Sequence, residues 1–297
     1  MTSGRAFANG AVSVVNAIVT GHAGASLAVD LRTEAKVTLL EDVPEVEVII
    51  DGKEAGPEGQ LARLVLKGVL ARLGEPDWGG RVETTSTIPS SRGLKSSSAA
   101  ANAVALAANQ AFERYEGRAL DKAILLDVAI EAALDAGVTI TGAFDDASAS
   151  LHGGLCVTDN RERKLLHREA ADESLVALLL VPASKTPTAS VRDLPYAPFA
   201  PLSLEAHRLA RTGRWRDALT LNGLVAGALY GVPPQWTRDA LAAGAVAAGV
   251  SGTGPAFAAL AEEGKAKAVE AALTHLAPPG ARIVRARPTN RRAEALP

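Results

Sequence analysis

Apolar and polar positions along residues 26–31, 34–40 and 46–50 follow the pattern of strands, and Asp51-Gly52 has the chemistry of a hairpin turn. Leu61, Leu64, Val65, Val69 and Leu73 then recur at helical spacing, predicting a helix over 60–73 that Gly74 ends. A β-branched, alternating run over 81–87 predicts another strand. A serine-rich loop follows and opens into an alanine-rich helix reaching about Tyr115. Asp121 stands as the N-cap of the next helix, through Leu134. Residues 137–150 form a loop leading into a short helix, and Gly153-Gly154 precedes a strand over 155–158. The apolar run 175–181 predicts a buried strand, and the prolines of 185–201 predict a long loop. Helices are expected near 203–211, 215–230 and 235–243. Strands at 245–250 and 256–260 flank the turn Ser251-Gly-Thr-Gly-Pro255, and a helix over 265–276 and a strand over 282–287 follow. The polar stretch 159–174 separates two α+β domains, 1–170 and 171–297, each a sheet with helices.

Composition narrows the function classes. A net charge of −2 over 297 residues gives no electrostatic footprint for nucleic acid or an anionic membrane, and Arg291 and Arg292 read as a solvated tail. Cys156 is the only cysteine, which excludes an intramolecular disulfide and a cysteine-built metal cluster. The first ten residues lack the basic-then-apolar order of a signal peptide, and the longest apolar runs are broken by Gly, Asn or charge. The expectation is a soluble cytoplasmic protein, monomer or homodimer, with a small-molecule partner and neither nucleic acid nor membrane.

Chemistry concentrates in Pro89-Ser-Ser-Arg-Gly-Leu-Lys-Ser-Ser-Ser98. A flexible loop delivers Ser96, Ser97 and Ser98 to the start of a helix, with Lys95 beside them. Free backbone N–H groups, hydroxyls and a positive helix end suit a phosphate group. The competing reading is a plain serine-capped helix. The loop is not a Walker A motif, because the earlier glycine is missing and the lysine does not follow a glycine. Thr139-Ile-Thr-Gly-Ala-Phe-Asp-Asp146 places two carboxylates at the start of a short helix, as catalytic groups or as caps. Ser251-Gly-Thr-Gly-Pro255 lets backbone approach a ligand closely, and it lacks the last glycine of the dinucleotide fingerprint. The five histidines show no metal-ligand spacing; His22 alone lies near these motifs.

Taken in order, the three segments resemble the signatures of the GHMP kinases. The first matches Pro-x3-Gly-Leu-Gly-Ser-Ser-Ser/Ala-Ala with Lys95 in place of the second glycine, the variant seen in archaeal-type shikimate kinases. Asn16-Ala-Ile-Val-Thr-Gly21 is similar to the same group, and Asn9-Gly10-Ala11 stands where many members carry Pro-Gly-Lys. The resemblance implies an α+β GHMP kinase fold: an N-terminal ribosomal protein S5 domain 2-like domain and a C-terminal ferredoxin-like domain. It implies ATP and Mg²⁺, with shikimate phosphorylated on its 3-hydroxyl; homoserine and mevalonate are the alternative acceptors, and a non-catalytic metabolite-binding protein is the alternative class. Gap-free counting back from Gly153-Gly154 favours Asp146 over Asp145 as the catalytic acid, with Lys95 supplying charge to the phosphates. Pro89, Ser91, Gly93, Leu94, Lys95, Ser96, Ser97 and Ser98 would hold ATP. Ser97 and Asp135 would hold the metal, Glu131 lying one turn from Asp135. Asn16, Thr139, Thr141 and Asp145 are candidates for the substrate hydroxyls, and Arg192 or Arg5 for its carboxylate. Gly252, Thr253 and Gly254 would donate backbone N–H groups to the transferring phosphoryl.

Overall fold

The computed structural model describes residues 2–184 and 191–297; the segment 185–190 of the expected proline-rich loop lies outside them. The first half runs β1 (Ser3–Val15), α1 (Ala17–Thr20), β2 (Ala23–Leu40), β3 (Val46–Ile50), β4 (Lys53–Glu54), α2 (Gln60–Leu73), β5 (Gly79–Ser86), α3 (Ser96–Glu116), α4 (Lys122–Asp135), α5 (Phe144–His152), β6 (Leu155–Asp159) and β7 (Lys164–Glu169). The second half runs β8 (Leu175–Val181), α6 (Ala200–Arg211), α7 (Trp215–Tyr230), α8 (Pro234–Ala242), β9 (Ala247–Val250), β10 (Phe257–Glu262), α9 (Glu263–Leu276), β11 (Arg282–Ala286) and β12 (Glu294–Leu296).

The strands expected at 26–31 and 34–40 are one strand, β2. Its first part, Ala23 to Leu27, pairs with β6, and its second, Thr33 to Leu40, pairs with β5. The partner changes across Asp30, Leu31 and Arg32, where side chains reach solvent, and that polar interruption reads as a strand end in the sequence. The first sheet has the order β12-β1-β2-β5-β3-β4, with β6 and β7 attached to β2. One face is covered by α2, α3 and α4, which bury Val65, Leu66, Val69, Phe112, Leu125 and Ile130. Alanines make the close approach of α3 possible: Ala103, Ala107 and Ala111 are fully buried against the sheet.

The second sheet is antiparallel in the order β11-β8-β10-β9. Numbered along the chain within this unit that is 4-1-3-2, with helices between the first and second strands and between the third and fourth, the ferredoxin-like arrangement. β8 is apolar throughout because both its faces are covered. Val176, Leu178 and Leu180 meet Val269 and Leu273 of α9. Ala177 and Leu179 join a core with Val12, Leu27 and Leu155 of the first sheet and Leu219 of α7. The two sheets therefore share apolar burial, which holds the groove between them in one shape.

The chain end departs from the division at 171. β12 returns to the first sheet, with Arg5 paired to Leu296 and Phe7 to Glu294. The Asn290 carboxamide bonds both the N–H and C=O of Ala171, and Ala293 is fully buried, so the tail is a strap and not a solvated extension. β1 was also not expected, because Gly4, Asn9 and Gly10 weaken its strand pattern. Buried Asn9 is satisfied by donating to the carbonyls of Ser150 and Arg291.

Candidate active site

The N-termini of α3 and α5, the end of β1 and the β9–β10 turn converge on a cleft with about 860 Å³ of open volume. Residues Ser91, Gly93 and Lys95 on its wall have φ of 55°, 83° and 65°, alternating with residues of negative φ. Such alternation curls backbone N–H groups into a concavity for anions. Lys95 occupies the N-cap position of α3, and no side chain caps the helix. Ser96, Ser97 and Ser98 therefore sit inside the first turn, which overturns the serine-cap reading. Their N–H groups precede the first intrahelical bond, from Ala99 N to Lys95 O, and point the helix dipole at the cleft.

Gly93 is fixed by contact as well as by dihedral. A Cβ there would lie 2.1 Å from the Ser251 carbonyl oxygen. The hydroxyl of Ser251 donates to the Gly93 carbonyl, so the phosphate-type loop and the glycine-rich turn are clamped together. Gly93→Ala is expected to destabilise the fold by about 1–3 kcal/mol, because neither backbone can yield without separating the two loops. Urea unfolding of the two proteins measures it; equal midpoints would contradict the clamp.

Two carboxylates occupy the first turn of α5. Asp146 Oδ2 lies 3.1 Å from Lys95 Nζ, with only 12% and 10% of the two side chains exposed. Asp146 Oδ1 accepts a 2.6 Å hydrogen bond from the Ser26 hydroxyl of β2. Asp145 is more deeply placed. Asn160 Nδ2 donates to its Oδ1 at 2.7 Å, and Ser26 Oγ lies 3.2 Å from its Oδ2. Burial, then the adjacent Asp146 charge, push the Asp145 carboxyl up to about 7 against the counteracting charge of Lys95. Gly24 of β2 makes room for it, since a Cβ there would lie 2.6 Å from Asp145 Cγ.

The third motif meets the end of β1. Ser13 N donates to Ser251 Oγ, and Gly252 N donates to Ser13 Oγ. Gly254 N donates to the Ser251 carbonyl. Two of the three N–H groups assigned to a transferring phosphoryl are thus engaged, Gly252 by Ser13 of β1 and Gly254 within the turn; Thr253, which lines the cleft, is the one whose N–H has no acceptor among the described residues.

The other predicted residues divide by location. Lys95, Ser96, Ser97, Ser98, Thr139, Thr141, Asp145, Asp146 and Asn16 all line the cleft. Asn16 is bound up in structure, however: its Oδ1 accepts from the N–H groups of Ile18 and Val19, and its Nδ2 donates to the Gly252 carbonyl. Asp145 is more deeply buried than Asp146, 3% against 9% exposed, and its Oδ1 is engaged by Asn160, so of the two carboxylates Asp146 is the better placed to meet a substrate hydroxyl. Pro89 and Leu94 are buried, Leu94 within the apolar core, and support the loop from behind. Asp135 is exposed at the end of α4 and does not line the cleft, and Glu131 is paired with Arg72 and Arg163. Arg5 lies against Glu34, away from the cleft, and Arg192 is exposed outside it. Lys95 is the one cationic side chain lining the cleft among the described residues. His22 does not line it, though its carbonyl accepts from the Asn160 N–H.

Sequence reasoning missed Ser13, Ser26 and Asn160. Each is a buried polar residue in or beside an apolar strand, and that mismatch is the signal they carry. Among the described residues there is no cluster of three metal-ligating side chains, and no helix is long and apolar enough to cross a membrane.

Known proteins place this arrangement. Residues 60–154 match the family model "GHMP kinases N terminal domain", and residues 203–278 match "GHMP kinases C terminal". A shikimate kinase of Methanothermobacter thermautotrophicus is 42% identical over 256 residues, covering 86% of each chain. One of Methanothrix thermoacetophila is 40% identical over 290 residues, covering 98% of this chain and 95% of its own. A crystal structure of homoserine kinase from Cytophaga hutchinsonii has a similar fold, with TM-score 0.77 at 21% identity over 100% of this chain and 98% of that one. A structure described as MDDEF in complex with MVAPP, AMPPCP and magnesium aligns with TM-score 0.75 at 19% identity, over 100% of this chain and 99% of that one. Two consecutive family domains across more than half of the sequence, relatives near 40% identity and the shared fold agree: the chain belongs to the GHMP kinase family.

Proposed function

We propose that the chain transfers the γ-phosphoryl group of ATP to the 3-hydroxyl of shikimate, forming shikimate 3-phosphate in the route to chorismate and the aromatic amino acids. One observation carries the chemistry: the Asp146–Lys95 pair, 3.1 Å apart, sits between an uncapped helix N-terminus and a cleft of substrate size. The relatives named shikimate kinase, near 40% identical over most of the chain, support the substrate.

In this reading the backbone around Ser96, Ser97 and Ser98 holds the ATP phosphates, with Lys95 adding charge. Asp146 orients the acceptor hydroxyl and takes its proton as the new P–O bond forms. Lys95 holds that carboxylate in place through their ion pair, and the Thr253 N–H stands ready to stabilise charge on the transferring group. For Mg²⁺, which takes oxygen ligands and retains several waters, Ser97 is the expected ligand that would hold it, since its hydroxyl lines the cleft. Asp135 and Glu131 do not line that space. When bound, the ion neutralises charge on the phosphates. Thr139, Thr141 and Thr253 bring hydroxyls to the cleft for the substrate's own, Thr141 Oγ1 being also within reach of Asn160 Nδ2.

The test is ADP release by the purified protein with ATP and Mg²⁺ against shikimate, homoserine and mevalonate in parallel. Turnover with shikimate alone is expected. Turnover with another acceptor would retain the phosphotransfer site and discard this substrate.

A further inference from the structure

Asp145 is a buried titratable group that the mechanism above leaves unused, and its hydrogen bonds carry more information than its position. Asn160 follows β6 and is 5% exposed. The backbone N–H of Asp145 can only donate, so the Asn160 atom 3.1 Å from it is the carbonyl Oδ1. The other end of the same carboxamide, Nδ2, must then face Asp145 Oδ1 and donate to it at 2.7 Å. The remaining bonds fit this orientation. Oδ1 also accepts from Thr158 Oγ1 at 2.7 Å, and Nδ2 reaches Thr141 Oγ1 at 3.3 Å. Asn160 cannot flip without placing donor against donor.

Ser26 faces both carboxylates but has one proton. Its oxygen lies 2.6 Å from Asp146 Oδ1 and 3.2 Å from Asp145 Oδ2. The proton goes to the shorter contact, toward Asp146. The longer one then sets an oxygen lone pair of Ser26 against Asp145 Oδ2 in a buried place, which is unfavourable unless Asp145 carries a hydrogen there. The charged groups around Asp145 are Asp146 on its own helix and Lys95 before α3; from β6, Cys156 also faces it, and burial pushes that thiol up to about 12, so it stays neutral.

We propose that Ser26 and Asn160 are positioning residues that hold Asp145 as a neutral carboxylic acid, whose proton runs from Oδ2 to Ser26 Oγ while the Ser26 proton runs to Asp146 Oδ1. The negative charge of the pair is thereby confined to Asp146, which faces the cleft and Lys95. The raised carboxyl of Asp145 agrees with this arrangement, and a bound polyphosphate would push it in the same direction. The sign for stability follows. A proton held more tightly by the folded chain stabilises it fully below the ordinary carboxylate value, and that contribution is lost as pH rises through about 7.

Infrared difference spectra of the full chain across a pH titration read the acid directly. A buried carboxylic-acid carbonyl band is expected to disappear with a midpoint near neutrality. It is expected to be absent in Asp145→Asn, to persist in Asp146→Asn with a lower midpoint, and to change frequency in Ser26→Ala. Kinetics supply the second arm. Asparagine at 145 reproduces the neutral pattern, its oxygen accepting from Asn160 and its NH₂ donating to Ser26. Asp145→Asn should lower kcat by less than about tenfold, and Ser26→Ala should lower kcat while KM for both substrates stays within about twofold. Absence of the acid band, its survival in Asp145→Asn, or loss of activity in Asp145→Asn as deep as in Asp146→Asn would overturn the proposal. The kinetic arm rests on the kinase reading of Asp146. The spectra do not, so a wrong substrate leaves the band in place and fails separately.

Discussion

Asp146→Asn is expected to lower kcat by about 10²–10⁴-fold, the usual loss when a positioned general base is removed, while nucleotide binding survives. The amide keeps the shape of the side chain, so α5 has no steric reason to move, and its single oxygen can accept from Ser26 or from Lys95 but not from both. It cannot accept a proton from the acceptor hydroxyl. The charge change also works in a known direction on ATP: removing a carboxylate beside the phosphate-binding turn lessens repulsion, so affinity should hold or rise. Isothermal titration with a non-hydrolysable ATP analogue and initial rates with shikimate separate the two. Wild-type turnover by Asp146→Asn would mean that positioning by the loop and metal supplies the rate, with no base. Loss of nucleotide binding would mean that the Lys95–Asp146 pair organises the loop itself.

Most of the fold follows periodicity that a reader can count along the chain. The apolar face of α2, the apolar run of β8 and the helices of the second half lie where spacing puts them, because burial on one face or two leaves a direct trace. What escaped the pattern depends on long-range pairing. β1 is secured by partners on both sides despite Gly4 and Gly10, and β12 exists because Glu294 to Leu296 finds the free edge of β1 nearly three hundred residues away. No local window contains that information. The site divides in the same manner. Ser96–Ser98 and Asp145–Asp146 stand in ordered motifs, whereas Ser26 and Asn160 act only because β2 and β6 are neighbours and bring them against α5. Counting along α4 suggested Asp135 as a metal ligand, but the helix ends with that side chain in solvent. The exposed Arg192 shows the same limit: a charge suited to a carboxylate says nothing of where its loop runs.

Lys95 explains its own departure from the GHMP signature. The position has φ 65°, in the left-handed region where glycine is unstrained and other residues cost about 1–3 kcal/mol. A glycine there is what the backbone prefers, and this chain instead carries a lysine whose ammonium reaches Asp146 and lies beside Gly252, whose added Cβ would be 3.0 Å from Nζ. Two substitutions separate backbone from charge. Lys95→Met removes the ammonium and keeps the strain; Lys95→Gly removes both. Each is expected to lower kcat by roughly 10²–10³-fold, the scale for losing one preorganised electrostatic contact in a site sheltered from water. Lys95→Gly should nonetheless be more stable than Lys95→Met by about 1 kcal/mol, the relief of left-handed strain partly offset by the greater freedom of glycine in the unfolded chain. Paired chemical denaturation and steady-state kinetics read both quantities on the same preparations. Wild-type kcat in Lys95→Gly would assign the phosphate work to the backbone N–H groups alone. Equal stability of the two variants would mean that the left-handed turn at residue 95 is held without strain. The expected outcome, a variant that folds better and works worse, would locate the strain in the step that brings a fixed positive charge to Asp146 and the phosphates together.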